Sequence, residues 1–277
     1  MKGFENSGNT CYLNAAMHAV LHSPQLTNYF LRDLHERDLN KRRKNAAAFV
    51  LEYKKLVDAY WTDGAGVAGA FAGVTQAFRK IHGKLFPEGG QHDAHEAMTH
   101  ILRTLHDGLA RTKVLEESKA RATLRGEHLE AWDATEKSIV AEIFQVQMAS
   151  KDHSIGVHLP ACGASVTDGF ERVAYLPLVL IVQLQRFSHE KKEKSTDLIE
   201  YSEELDLRKF SGSPKDLYLL FGVVCHVGSL QSGHYTFLAK VKNRAWYEFD
   251  DDVVKPVRDT NIVRRDAYVL MYKRSIP

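Results

Sequence analysis

The chain has 277 residues, of which 44% are hydrophobic and 26% charged, and its 37 basic and 35 acidic side chains leave a net charge of +2. This length can bury a large core in one or two folding units, and so small a net charge argues neither for nor against a nucleic-acid partner. No run approaches the roughly 18 apolar residues that span a bilayer, the N-terminus lacks a signal-peptide apolar region, and the three cysteines predict a reducing compartment, the cytoplasm or the nucleus.

The first part of the chain carries apolar residues at helical spacing. One such run follows Cys11, and a one-sided stripe extends from Asn45 to Tyr60. Shorter patterns predict helices over residues 74–81 and 93–109. Residues 110–140 are charged, and they predict a helix followed by a solvated connection.

From Ile143 onward the pattern changes to that of β-strands, with many aromatic residues. The predicted strands cover residues 173–187, 218–227, 235–241, 246–249 and 268–273. The highly charged stretch 186–204 is predicted to be a mobile loop. A helical half followed by a β half indicates an α+β fold.

Cys11 lies on a glycine-containing turn directly before an apolar helical run. At a helix N-terminus, free backbone N–H groups and the helix dipole both favour the thiolate, which is the form that attacks a carbonyl carbon. The pattern therefore predicts a nucleophile. The alternative is that Cys11 is one more buried apolar residue.

His234 follows a glycine at the start of a strand-like run, and Asp250, Asp251 and Asp252 end the next aromatic-rich run. Two antiparallel strands joined by a short turn would place a carboxylate beside the imidazole. Cysteine, histidine and aspartate in this chain order form a thiol-hydrolase constellation. Neighbours on one strand point to opposite faces, so only one of Asp250 and Asp251 is expected to face His234. Asp252 is expected to be a solvated surface charge.

Several blocks of the chain resemble the ubiquitin-specific proteases, and they occur in that family's order. They are residues 6–14, 90–96, 176–187 (as a central strand), 221–237, 246–251 and 267–272. The resemblance implies a papain-like cysteine protease fold whose site lies in a cleft between a helical thumb and a β-rich palm. It implies one catalytic domain over residues 1–277, with the thumb over about 1–140, reduced fingers over about 141–175 and the palm over about 176–277.

The resemblance also implies a chemistry, the hydrolysis of the isopeptide or peptide bond after the C-terminal glycine of ubiquitin. Cys11 would form the acyl-enzyme, His234 would be the general base and then the acid, and Asp250 would orient the imidazole. Asp251 is a candidate auxiliary residue. Asn6, five residues before the cysteine, would supply an oxyanion donor together with the Cys11 backbone N–H. The alternative for Asn6 is a cap of the turn.

The ubiquitin tail, Leu-Arg-Leu-Arg-Gly-Gly, has arginines that need carboxylates and glycines that fit a narrow channel. Asp93 and Glu96 are three residues apart at the start of a helix, so they share one face. The family resemblance gives them the tail-binding role, and helix capping is the alternative. The other predicted substrate contacts or channel walls are Gln91, Gly233, Tyr235 and the loop 228–232.

The fingers of this family usually carry two Cys-x-x-Cys pairs that bind zinc. Here Cys162 fills one position of the first pair, and the second pair is absent. His153 and His158 are nearby, but four good ligands are not visible, so truncated, zinc-free fingers and no cofactor are predicted. His18 and His22 have metal-ligand spacing on a helix but no third ligand, and both are interpreted as ordinary helix residues.

Two other functions fit part of the pattern. One is a protease for another Gly-Gly-ended ubiquitin-like modifier, and the other is a non-catalytic ubiquitin-binding module. Degenerate binding modules usually lose the thiol or the imidazole, and both are present here. The predicted partners are ubiquitin and ubiquitinated proteins, with no nucleic acid and no membrane, and the predicted state is a monomer. Matching blocks from near Met1 to near Pro277 suit a compact genome, such as that of a virus.

Overall fold

The computed structural model describes residues 1–62, 64–110, 137–150, 155–158, 170–188, 193–211, 213–229, 232–241 and 245–275. The first part of the chain is helical and the rest is an antiparallel sheet system, as the sequence predicts. The helices are α1 (Cys11–Leu21), α2 (Pro24–Leu31), α3 (His35–Asp38), α4 (Lys44–Trp61), α5 (Val67–His82), α6 (Ala94–Leu109), α7 (Ile139–Phe144) and α8 (Arg208–Ser211). None of these helices is long and apolar enough to span a membrane.

Helix α1 is buried on all sides, which is how a helix without a polar face is accommodated. It packs against α6 on one side and against the sheet on the other. Helices α4 and α6 are amphipathic, and their apolar stripes close the helical core around α1. The first residue of α1 is Cys11, so the core of the protein fixes the position of the predicted nucleophile.

Two helices differ from their predictions. Helix α5 begins at Val67 rather than at Val74, because its first two turns are rich in Ala and Gly and carry little apolar periodicity. Residues 139–144 form α7 although a β pattern was expected from Ile143. Ser138 caps α7, and its hydroxyl oxygen accepts a hydrogen bond from the Ala141 N–H at 3.2 Å.

The main sheet has seven antiparallel strands in the order β11-β10-β9-β8-β12-β4, with β7 paired to β8. Its strands are β4 (Val179–Gln183), β7 (Glu204–Asp206), β8 (Leu217–Gly228), β9 (Gly233–Lys240), β10 (Trp246–Asp250), β11 (Val253–Val257) and β12 (Ala267–Arg274). Apolar residues cover both faces of β8, because one face meets the helical core and the other a second apolar cluster.

The β half also departs from the predictions in detail. The segment 176–187, expected as a central strand, contributes β4 at the edge of the sheet and the short β5 (Phe187–Ser188). Strand β11 has an exposed pattern and contains Pro256, so it gave no strand signal. The charged stretch 186–204 contains β5 and β6 (Glu193–Lys194), which pair as a two-stranded sheet.

The region predicted as reduced fingers forms a separate three-stranded antiparallel sheet in the order β2-β1-β3. Its strands are β1 (Val146–Ser150), β2 (Ile155–His158) and β3 (Phe170–Tyr175). Cys162 and His153 lie outside the described residues, and the same holds for the side chain of His158.

Candidate active site

Cys11 begins α1 after a tight turn in which Gly8 and Asn9 both have positive φ angles, of 98° and 55°. The thiol-bearing residue is only 2% exposed. Burial raises the pKa of the Cys11 thiol above its usual value, and the nearby Asp251 carboxylate acts in the same direction. Backbone N–H groups of Tyr235, Tyr12 and Cys11 oppose this effect but do not reverse it. The N–H groups at the helix start thus act in the expected direction, but burial outweighs them and the net effect is a raised pKa of the thiol.

His234 and Asp250 form a hydrogen bond of 2.6 Å between Nε2 and Oδ1. Strands β9 and β10 pair with Phe237 opposite Phe249, and continuing that register sets Asp250 diagonally across from His234 on one face. A carboxylate can only accept, so Nε2 carries the proton in this contact. The other ring nitrogen, Nδ1, is then the one able to take a proton from a nucleophile.

Helix α1, which begins with Cys11, packs against β9, which carries His234. The backbone N–H of Tyr235, the residue after His234, interacts with the Cys11 sulfur and lowers its pKa. His234 itself donates to Asp250, and its side chain is 43% exposed. The three predicted catalytic side chains are thus gathered around one short segment of β9.

Asp251 does not bind His234 but holds two asparagines. It sits in the turn between β10 and β11 with a positive φ of 52°. Its Oδ2 accepts a hydrogen bond from Asn6 Nδ2 at 2.9 Å, and its Oδ1 accepts one from Asn14 Nδ2 at 2.7 Å. The expectation that one aspartate faces His234 agrees with this geometry, although Asp251 lies in a turn and not on the strand.

The Asn6 amide is fixed at both ends. Its Oδ1 accepts hydrogen bonds from the Thr10 backbone N–H at 3.0 Å and from the Thr10 hydroxyl at 3.2 Å. The turn-capping alternative is therefore present in the structure. It leaves the NH₂ group pointing toward Asp251, beside the predicted catalytic residues.

A groove of about 360 Å³ runs between the start of α6 and the ends of β8 and β9. It is lined by all five predicted substrate-binding residues: Gln91, Asp93, Glu96, Gly233 and Tyr235. Ser229 and Ser232 of the loop 228–232 also line it, whereas residues 230 and 231 lie outside the described part.

Asp93 has a structural role as well as a place in the groove. It is the N-cap of α6, and its Oδ1 accepts a hydrogen bond from the Glu96 N–H at 2.9 Å. Its Oδ2 accepts a hydrogen bond from the Tyr268 hydroxyl at 2.5 Å. Glu96 is exposed on the groove wall. The capping alternative thus applies to Asp93, while Glu96 remains free to meet a cation.

Gly233 and His226 are closely packed in the groove wall. A Cβ atom on residue 233 would lie 2.0 Å from His226 Nε2, so any side chain there would collide. His226 is buried, and its ring centroid lies 4.4 Å from that of Tyr235. Burial and the Lys194 cation lower the pKa of His226 to about 4. The imidazole is therefore a neutral wall of the groove at physiological pH.

Sequence reasoning missed Asn14, His226 and Tyr268 as site residues. Asn14 gave one usable signal, since it is a polar residue inside an otherwise apolar helix. His226 and Tyr268 gave none, because they lie on strands remote in sequence from the groove's helix. The structure brings every predicted catalytic and substrate-binding residue to one region, and their roles stay predictions.

Metal-binding potential among the described residues is limited to one three-residue group. Ligand atoms of His234, Asp250 and Asp251 lie within 4.8 Å of one another, but these atoms already bind each other or the two asparagines. His18 and His22 are fully enclosed by aromatic rings, and no third ligand joins them within the described ranges.

The ubiquitin carboxyl-terminal hydrolase family model matches residues 2–272 of this chain. The chain belongs to this family. The resemblance to the ubiquitin-specific proteases is thereby confirmed at the level of the family.

Sequence relatives agree with this assignment. The chain is 25% identical to ubiquitin carboxyl-terminal hydrolase 4 of Candida glabrata, over 98% of this chain and 40% of the relative. It is 26% identical to ubiquitin carboxyl-terminal hydrolase 17-like protein B of Mus musculus, over 98% of this chain and 63% of the relative. The chain thus spans between two fifths and just under two thirds of these relatives.

Solved structures share the fold. A SAGA DUB module bound to monoubiquitin superimposes with a TM-score of 0.75 at 20% identity, covering 100% of this chain and 69% of that one. The SAGA Ubp8/Sgf11/Sus1/Sgf73 DUB module bound to ubiquitin aldehyde gives a TM-score of 0.73 at 20% identity, covering 100% of this chain and 70% of that one. The predicted papain-like fold is confirmed.

Proposed function

We propose that this chain is a deubiquitinase domain that hydrolyses the bond after the C-terminal glycine of ubiquitin. One observation carries the proposal. Cys11, whose sulfur meets the Tyr235 backbone N–H, and the His234–Asp250 pair lie beside a groove that Gly233, Tyr235, Asp93 and Glu96 line. A thiol hydrolase for a thin, basic, glycine-ended tail needs this combination.

The reaction begins with proton transfer from the Cys11 thiol to Nδ1 of His234 as the sulfur attacks the scissile carbonyl carbon. Because burial keeps the resting thiol protonated, the thiolate forms during attack and not before it. The tetrahedral intermediate collapses, the C–N bond breaks, and His234 returns the proton to the departing amine. Water, deprotonated by His234, then cleaves the thioester and restores the thiol. Asp250 keeps Nε2 protonated through both steps.

The developing oxyanion would be stabilised by the Cys11 backbone N–H and by Asn6 Nδ2. Thr10 and Asp251 hold the Asn6 amide from opposite ends, so the donor is oriented before substrate arrives. Asp251 would thus assist catalysis by positioning Asn6 and not by contacting the imidazole.

Recognition of the ubiquitin tail would depend on the negative charge of the groove and on the width of the channel. Asp93 and Glu96 present carboxylates that can pair with the tail arginines. Gly233, packed against His226, forms the groove wall next to His234, and a narrow channel there would favour glycine at the last two substrate positions. Ubiquitin as the partner agrees with the solved structures of this fold that contain it.

Several partner and location statements belong to the proposal only. A reducing compartment, the cytoplasm or the nucleus, suits a free catalytic thiol. The monomeric state stays a prediction, and the similar SAGA modules were solved with other subunits. A viral source also stays a prediction.

The decisive experiment uses ubiquitin carrying a fluorogenic C-terminal amide. Wild type should release the fluorophore, and the Cys11→Ala variant should not. A ubiquitin with a C-terminal alkyne electrophile should form a covalent adduct on Cys11 only. Full hydrolysis by Cys11→Ala would refute the mechanism. Preference for a different Gly-Gly-ended modifier in a parallel panel would keep the chemistry and replace the substrate.

A further inference from the structure

A second pocket, of about 620 Å³, lies in the helical half between the start of α4 and the last turns of α5 and α6. Its lining carries four cationic side chains, Arg42, Arg43, Lys44 and Arg103, and two histidines, His82 and His100, whose pKa values burial lowers. The hydrolytic chemistry described above uses none of them. We call this site the basic pocket.

The positive charge in the basic pocket is largely uncompensated. Arg43 pairs with Asp107 at 2.5 Å, and Asp107 is the single carboxylate in the lining. Arg42, Lys44 and Arg103 are exposed, and no ion pair to them occurs among the described residues. Like charges held around one cavity repel each other, so an anion that enters is favoured by all of them at once.

The polar groups of the pocket floor form a short chain of hydrogen bonds. Thr104 is buried, and its hydroxyl donates to the His100 carbonyl oxygen at 2.7 Å. The same hydroxyl lies 2.8 Å from His82 Nε2, so His82 Nε2 carries the proton. His100 Nδ1 is a buried atom with no hydrogen-bond partner among the described residues. Helix α4 starts at the pocket rim without a side-chain cap.

From this arrangement we infer that the basic pocket binds a phosphate monoester carried by a polypeptide, such as a phosphoserine side chain. A phosphate presents nearly two negative charges on three acceptor oxygens, and arginine forks match it with paired hydrogen bonds. Arg42 and Arg103 supply two such forks from different helices or loops around one cavity, and Lys44 adds a point charge.

The lining favours a phosphopeptide over a nucleic acid. Single-stranded nucleic acid is usually held by an extended basic track with aromatic faces for stacking. Among its described lining residues the basic pocket has no Phe, Tyr or Trp, and its cations converge on one cavity.

The basic pocket is separate from the hydrolytic groove. Helix α6 connects them, with Asp93 at the groove and Asp107 at the pocket. The nearest lining residues on α6, Glu96 and His100, are four residues or about 6 Å apart along the helix, and the outer ones, Asp93 and Asp107, are about 21 Å apart. A phosphorylated protein could therefore be held there while a tail fills the groove, and its binding does not depend on the proposed hydrolysis.

The test measures binding of two fluorescent peptide pools to the full chain by anisotropy. One pool has phosphoserine at its centre with degenerate flanks, and the other has serine. Wild type should bind the phosphorylated pool at least about tenfold more tightly. The triple variant Arg42→Gln, Lys44→Gln, Arg103→Gln should lose that preference, and Arg103→Gln alone should weaken it several-fold.

A matched control removes three exposed positive charges elsewhere, with Lys209→Gln, Lys215→Gln and Arg258→Gln, and it should keep the preference. Both triple variants should melt at the wild-type temperature and cleave the ubiquitin amide normally. Equal binding of the two pools by wild type, or equal loss in the control variant, would overturn the proposal. Tighter binding of single-stranded DNA or of inositol hexakisphosphate than of the phosphorylated pool, lost in the pocket variant, would also overturn it by assigning the site to another ligand.

Discussion

The buried histidine His22 allows a quantitative prediction about acid stability. Its ring is 7% exposed, contacts Tyr60, Trp61 and Phe249, and has no hydrogen-bond partner at Nε2 among the described residues. Burial lowers its pKa from 6.5 to about 4 in the folded chain. The unfolded chain therefore binds a proton at His22 more readily than the folded one. The stability that depends on the neutral ring is complete above pH 6.5 and is lost as the pH falls toward 4.

The size of the effect follows from these two pKa values. At pH 5 the proton binding polynomial of His22 is about 30 times larger in the unfolded state than in the folded state. This ratio lowers the free energy of unfolding by about 2 kcal/mol. His18, which is enclosed beside it and has its pKa lowered by burial, adds a loss of the same sign. These losses are a large share of the stability of an ordinary domain.

The assay is urea unfolding at pH 8 and pH 5, followed by two probes to check for a single transition. The variant His22→Gln keeps a polar side chain but cannot titrate. Its stability at pH 8 measures the cost of the substitution itself. Between pH 8 and pH 5 it should lose about 2 kcal/mol less than wild type. An identical loss in the two proteins would show that the His22 ring is not held neutral, and His22→Asn repeats the test if the first variant is unstable.

Four further predictions concern the proposed reaction. Asp250→Ala should lower kcat on the ubiquitin amide at least about 100-fold with little change in KM, because His234 loses its orienting partner; an unchanged kcat would exclude that role. Asn6→Ala should lower kcat roughly 10²–10³-fold, and a rise in KM with an unchanged kcat would argue for turn capping alone. Glu96→Gln should raise KM about fivefold at constant kcat, because Glu96 is an exposed charge. High salt should reduce the difference in KM between this variant and wild type. Gly233→Ala should destabilise the fold by about 1–3 kcal/mol through its clash with His226, and adding His226→Ala should recover part of this in a double-mutant cycle.

Local patterns predicted most of the fold. The stripe from Asn45 to Tyr60 closely matches α4, and the strands β8, β9, β10 and β12 lie within a few residues of their predicted positions. The failures have local causes as well. The start of α5 has too few large apolar residues to show a period, and β11 carries Pro256 and exposed side chains. An edge strand such as β4 cannot be told from a central one by its own residues.

The sequence predicts the site only where a reactive residue type occurs in a recognisable local pattern. Cys11, His234 and Asp250 stand at turns beside regular elements, and the hairpin geometry of β9 and β10 brings the last two together. The thiol pKa was not predictable, because the helix start is visible in the sequence and the depth of burial is not. The position of His226 in the groove wall is set by the pairing of β8 with β9, which no local sequence pattern indicates.

The contacts of Asp251 link the packing of the helical half on the sheet to the geometry of the proposed catalytic residues. Its backbone oxygen accepts a hydrogen bond from the Phe4 N–H at 2.8 Å, and its carboxylate binds Asn6 and Asn14. A non-glycine residue at positive φ costs about 1 kcal/mol or more, whereas each hydrogen bond to a charged group contributes about 1.5–3 kcal/mol. The strained turn is therefore stable only while the N-terminal segment and α1 stay docked on it. Since α1 carries the nucleophile and the turn follows the partner of the imidazole, the contacts that join the two halves also set the distance between thiol and base.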